Sequence, residues 1–227
     1  MELCFAAAPQ VLLPIDGSDL RFPVRRVYCV GRNYAEHARE MGHDPDREPP
    51  FFFQKNPDNL DISGQFPYPS ATQDLHHEVE LAVLLGGGGA DVDPRDAQAL
   101  VFGYAVALDM TRRDLQAAAK KAARPWAAAK AAEHSAPIGR IVLAGQARDI
   151  GSAGIQLAVN GEIRQQARIS DMTWGVAEIV AALSGLFTLA PGDVILTGTP
   201  AGVGPVLRGD RMEASIDGLP PLGVEVI

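Results

Sequence analysis

Short apolar runs, broken by glycine, proline and charged residues, set the pattern of this chain and predict many short strands with few helices. Val27-Tyr28-Cys29-Val30 is the first compact run, and Phe51-Phe52-Phe53 is an aromatic strand. A strand is predicted from His76 to Leu85, closed by the four glycines Gly86 to Gly89. Val101 to Leu108 is apolar and ends at Asp109. Ile155–Asn160 and Glu162–Gln166 read as a strand pair hinged at Asn160-Gly161, a favoured hairpin turn. Asp193 to Leu196 precedes a glycine-rich loop from Thr197 to Pro205.

Helical signals are fewer. Asn33 is placed to cap a helix from Tyr34 to Met41 that Gly42 would end. Asp93 is placed to cap a turn from Pro94 to Ala99. The alanine-rich stretch Asp114–Ala123 favours helix, with Thr111 and Asp114 spaced like a capping box. Trp174 to Leu189, interrupted by Glu178, reads as an amphipathic helix. Residues 1–23 contain Pro9, Pro14 and Gly17 and form an N-terminal extension with one or two short strands; residues 24–227 form the body. The sum is a β-rich α+β fold.

Composition narrows the partners. The 227 residues are 47% hydrophobic and 21% charged, enough for a substantial core. A net charge of −8 without any long Lys/Arg run argues against nucleic acid and anionic membranes. An anionic small substrate stays open, since one or two local cations suffice. Two cysteines, Cys4 and Cys29, make no disulfide framework, and no apolar stretch has membrane-spanning length. The expectation is a soluble, cytoplasmic protein.

Glu78 and Glu80 lie two apart on a predicted strand, so their carboxylates share a face, with His76 beside them. They read either as the wet face of an edge strand or as half of a cation site. Asp109 either caps the next helix or completes an all-oxygen group suited to Mg²⁺, Mn²⁺ or Ca²⁺ rather than zinc. His37 and Glu40, three apart, are a solvated helix pair or a general base with its orienting carboxylate. Of four lysines, Lys120 and Lys121 fit a solvated helix face, while Lys55 and Lys130 follow aromatic segments and are better site candidates. The Thr197–Pro205 loop offers hydroxyls and N–H groups to a carboxylate, or is a plain turn. It lacks the Walker A pattern, and the chain has no Gly-x-Ser-x-Gly elbow, so nucleotide and serine-nucleophile sites are disfavoured.

Six stretches in order carry a resemblance. They are Val30-Gly31-Arg32-Asn33-Tyr34-Ala35-Glu36-His37, His76-His77-Glu78-Val79-Glu80-Leu81, Gly103 to Gln116, Trp126 to Lys130, Val159-Asn160-Gly161-Glu162 and Leu196 to Pro205. From about Phe22 onward the chain resembles the fumarylacetoacetate hydrolase family, in particular its short acylpyruvase and fumarylpyruvate hydrolase branch. The resemblance implies a mixed β-sheet roll with short flanking helices, usually a homodimer. It implies that Glu78, Glu80 and Asp109 hold Mg²⁺ or Mn²⁺. It also implies that His37 and Glu40 form the base pair on a lid-like segment, that Lys130 lies in the site, and that Arg113, Gln116, Thr199 and Lys55 meet the substrate. Asn56 separates Lys55 from Pro57, a departure from the family's Lys-Pro that bears on the role of Lys55.

The activity so implied is hydrolysis of the carbon–carbon bond of an acylpyruvate, with fumarylpyruvate giving fumarate and pyruvate in aromatic (gentisate) degradation. His37, oriented by Glu40, would take a proton from the attacking water, and Lys130 would stabilise the oxyanion. Oxaloacetate decarboxylation or tautomerisation of a 2-keto acid uses the same site without an attacking water. A non-catalytic β-rich binding module is the reading from another class.

Overall fold

The structure, a computed structural model, describes residues 3–40 and 48–227. A six-stranded sheet runs Val142–Leu143, Val101–Leu108, Val79–Leu85, Asp193–Leu196, Arg26–Gly31, Phe51–Lys55 from edge to edge. Only the pairing of Asp193–Leu196 with Arg26–Gly31 is parallel. A five-stranded sheet orders Glu162–Arg168, Gly154–Val159, Arg211–Ile216, Leu222–Val226 and Gln65–Phe66. A small sheet joins Thr111–Arg112, Leu75–His77 and Gly204–Pro205. This is the β-rich arrangement with few helices that the apolar pattern predicts, and the mixed sheet that the resemblance implies.

The six-stranded sheet is covered on both faces. Leu81, Val83 and Leu85 join Ile155, Leu157, Met212, Val224 and the helix residues Ile179, Val180 and Leu183. Ala82 and Leu84 on the other face join Val27, Cys29, Ala105, Val194 and the N-terminal Leu13, Ile15 and Phe22. Two-sided burial explains why the strands read as continuous apolar runs rather than alternating ones. Residues 12–14 and 21–23 are two short strands, as expected in the extension, and they pair antiparallel.

Several boundaries differ from the sequence expectation. The run from His76 to Leu85 is two strands: the chain breaks at Glu78, and Leu75–His77 leaves for the small sheet. Asn33 does not cap; its side chain donates to Trp174 O and Thr197 O and accepts from Trp174 N–H, so it ties three segments together. The following helix spans Ala35–Glu40, and its expected end at Met41-Gly42 lies outside the described residues. Thr111 and Asp114 form no capping box, because Thr111 donates to Glu78 while Asp114 accepts from Thr72 and Gln73 N–H. The amphipathic segment is helical only over Val176–Ser184. Asp93 does accept from Arg95 N–H, as a cap should, ahead of the short helix Pro94–Ala97. Asn160 and Gly161 both have positive φ, at 53° and 81°, as the hairpin turn requires.

Candidate metal centre and catalytic cleft

The antiparallel register Val79↔Leu108 puts the start of one central strand beside the end of the other. Glu78 and Glu80 therefore meet Asp109, whose N–H bonds Glu78 O at 2.8 Å. One oxygen from each of the three carboxylates lies within 4.8 Å of the others. All three are buried, with 5%, 2% and 1% exposure for Glu78, Glu80 and Asp109. The wet-edge reading of Glu78 and Glu80 is thereby excluded: Val79–Leu85 is an interior strand, buried throughout.

Cations surround the triad. Lys130 Nζ donates to Glu78 Oε2 at 2.8 Å and Asp109 Oδ2 at 2.7 Å. Arg113 Nη2 donates to Glu78 Oε1 at 2.5 Å, and Nη1 to Gln116 Oε1 at 2.7 Å. Lys130 and Arg113 outweigh the burial of Glu78 and hold its carboxyl far below the usual range. Glu80 is the opposite case. Burial, then the charges of Asp109 and Glu78, push it well up, and its nearest polar donor is Gly198 N–H at 2.8 Å. Asp109 Oδ1 lies 2.8 Å from Lys55 Nζ but makes no hydrogen bond, since that ammonium donates to Met110 O, Lys130 O and Ser135 Oγ. Three buried carboxylates with an oxygen each inside 4.8 Å, one of them pushed well up by burial and by the other two, are a donor set that fits a divalent cation bound by oxygen ligands.

His37 projects from the Ala35–Glu40 helix into the same cleft, and its Nδ1 lies 3.3 Å from Glu40 Oε2. Both Glu40 oxygens accept from Gly202 N–H at 3.2 Å, so the pair is tethered to the 197–205 loop. Burial lowers the His37 pKa, with Glu78 and Glu40 opposing, which leaves a neutral imidazole able to accept a proton near neutral pH. Gly198 is required here. Its φ is +93°, and a Cβ would lie 2.7 Å from Asn33 Cβ.

The cleft is lined by the triad, His37, Arg113, Gln116, Lys130 and Thr199, together with Arg32, Lys120, Phe51, Phe53 and Trp126. Of the residues singled out in the sequence, Glu40, Lys55 and His76 do not line it: Glu40 reaches it only through His37, and Lys55 lies deeper. The Lys55 side chain is fully buried behind Asp109. Thr199 reaches the cleft, but its hydroxyl donates to Val79 O and accepts from Gln165 Nε2. His76 sits to one side, bonded to Asp74 and Arg113 rather than to the triad.

Three contributors escape a sequence reading. Gln165, 0% exposed, accepts from Val79 N–H, bonds His77 and donates to Thr199 and Pro200 O. It sits among polar residues of an outer strand, on the same face as the core-packed Ala167 and opposite the buried Leu157. Lys120, expected on a solvated face, instead lies over the Trp126 ring at 5.2 Å and faces the cleft. Arg32 does likewise over Phe51 at 5.1 Å.

A β-rich roll with a buried three-carboxylate centre beside a histidine–glutamate pair thus defines the candidate site. Residues 26–227 match the family described as Fumarylacetoacetate (FAA) hydrolase C-terminal, and the chain belongs to it. The fumarylpyruvate hydrolase of Pseudomonas aeruginosa, solved with Mn²⁺ and pyruvate, is 52% identical, with a TM-score of 0.97, over 100% of this chain and 99% of that one. The mitochondrial oxaloacetate tautomerase of Arabidopsis thaliana is 42% identical over 201 residues, 88% of this chain and 90% of its own. The mitochondrial oxaloacetate decarboxylase of Dictyostelium discoideum is 39% identical over 197 residues, covering 86% and 90%.

Proposed function

We propose that this chain is a divalent-cation-dependent hydrolase that cleaves the carbon–carbon bond of an acylpyruvate, with fumarylpyruvate, giving fumarate and pyruvate, as the substrate it fits best. The observation that carries the reading is the buried, neutral His37, oriented by Glu40 and facing the cleft that holds the triad. Hydrolysis needs a base for the attacking water and decarboxylation needs none, whereas tautomerisation would use a base only to move a proton between carbon and oxygen. Likeness to the Pseudomonas fumarylpyruvate hydrolase over the full chain supports the substrate.

Glu78, Glu80 and Asp109 would hold Mg²⁺ or Mn²⁺, which supplies Lewis-acid stabilisation for the keto-acid end when bound. Arg113, Gln116 and Thr199 orient the pyruvate portion. His37 takes the proton of water attacking the remote carbonyl, and Lys130 donates to the oxyanion that forms there; collapse of that oxyanion breaks the carbon–carbon bond, its electron pair leaving as the enolate of pyruvate, which takes up a proton. Lys55 acts from behind, neutralising Asp109 and fixing the backbone carbonyls of Met110 and Lys130, and does not touch substrate. The enzyme works in the cytoplasm as a homodimer in this reading; its cysteines, one exposed and one buried, are both free.

A second reading, oxaloacetate tautomerisation or decarboxylation, is favoured by the Arabidopsis and Dictyostelium relatives. Product analysis separates the two. Fumarate and pyruvate released in equal amounts from fumarylpyruvate support hydrolysis, and turnover of oxaloacetate alone supports the second reading. The site is intact, which counts against a non-catalytic binding module.

A further inference from the structure

The cleft carries more positive charge than its carboxylates use. Arg113 and Lys130 pair with Glu78, and Lys130 and Lys55 with Asp109. Arg32 and Lys120 also line the cleft, yet among the described residues neither has a carboxylate partner. They are held by aromatic rings instead: the Arg32 guanidinium over Phe51 at 5.1 Å, the Lys120 ammonium over Trp126 at 5.2 Å. Phe51 meets Trp126 edge-on at 5.5 Å, and Phe53 lies 5.9 Å from the same ring. One aromatic platform thus carries both cations.

The chain gives up backbone ease to put Arg32 there. Its φ of 58° is left-handed, a conformation that side-chain-bearing residues seldom adopt and that clusters at ligand clamps. Gly31, before it, allows the Phe51 ring to close over the strand end, where any Cβ would clash with that ring. The Lys120 ammonium is pushed down by burial and then by Arg113 and Arg32, so the like charges act on one another. Positive groups crowded without a counter-anion are relieved by an anionic ligand.

Resting on the acylpyruvate reading above, we infer that Arg32 and Lys120 bind a second carboxylate at the far end of the acyl group. The enzyme therefore selects ω-carboxy acylpyruvates over neutral ones, with Phe51, Phe53 and Trp126 flanking the chain between the two charged ends. The role is specificity, separate from the proton transfer at His37.

Steady-state kinetics with fumarylpyruvate and acetylpyruvate, in the presence of Mn²⁺, test this. The wild type should favour fumarylpyruvate in kcat/KM. Arg32→Asn, which tolerates the left-handed backbone, and Lys120→Met, which keeps an unbranched stem on Trp126, should each reduce that preference by about tenfold to a hundredfold, the loss of one charge-assisted contact, chiefly through KM. If Arg32→Asn does not fold, Lys120→Met on the surface of the cleft still decides. A wild type without preference, or variants that keep it, overturns the inference while leaving the hydrolase intact. A wild type that cleaves neither compound overturns the hydrolase reading and the inference with it.

Discussion

Glu40 links two parts of the site: its carboxylate lies 3.3 Å from His37 Nδ1 and accepts the Gly202 N–H through both oxygens. The base and the 197–205 loop are therefore positioned by one side chain. His37→Ala should reduce acylpyruvate hydrolysis by about a hundredfold to ten-thousandfold, the usual range for a general base. Glu40→Gln should cost less, because the imidazole stays in place while losing its orienting charge. Oxaloacetate decarboxylation, which needs no activated water, should fall less than hydrolysis in both variants; parallel assays of the two activities check this. Equal losses would remove the water-activating role.

The pH profile follows from His37. Burial dominates and lowers its pKa below the ordinary 6.5, so the active neutral form persists into mildly acidic solution. The acidic limb of kcat/KM should thus inflect below pH 6.5. Glu40 favours the protonated imidazole, so Glu40→Gln should move the inflection lower still. A limb at or above pH 6.5 would mean that another group controls the rate.

Cation binding should depend on Glu80. Its carboxyl is raised by burial and by Asp109 and Glu78, so cation uptake should release protons and weaken as pH falls. Isothermal titration with Mn²⁺ in two buffers of different ionisation enthalpy measures the proton count. Glu80→Gln should weaken Mn²⁺ binding by more than about a hundredfold, beyond the effect typical of outer partners. Unchanged affinity would exclude Glu80 from the centre.

Gln165 predicts an effect on stability. Replacing it with Ala leaves the Val79 N–H without its acceptor and removes the donors to Thr199 and Pro200 O, all in a buried site. Unsatisfied buried groups and the cavity together cost about 2–4 kcal/mol. For a chain of this size that lowers the melting temperature by about 4–16 °C, readable by calorimetry.

The elements were legible where one local rule decided them. The Asn160-Gly161 turn and the Asp93 cap needed only their own residues, and both formed. The strands were legible from composition, since burial on both faces left them almost wholly apolar. Convergence of Glu78, Glu80 and Asp109 was not, because it depends on the register Val79↔Leu108, a pairing across 29 residues of chain. The break at Glu78 was hidden for a related reason: Leu75–His77 finds its partners at Thr111 and Gly204, far along the sequence. Arg32, Lys120 and Gln165 look like surface residues in one dimension. The aromatic platform holds the two cations at the cleft, and pairing with the buried Leu157 places Gln165 inside.

The most direct test of the central claim is loss of the enol ultraviolet absorbance of fumarylpyruvate on incubation with the purified protein and Mg²⁺ or Mn²⁺. The account predicts rapid loss that EDTA abolishes and added Mn²⁺ restores. Absorbance that persists with every acylpyruvate tried, or that falls equally in the presence of EDTA, would contradict it.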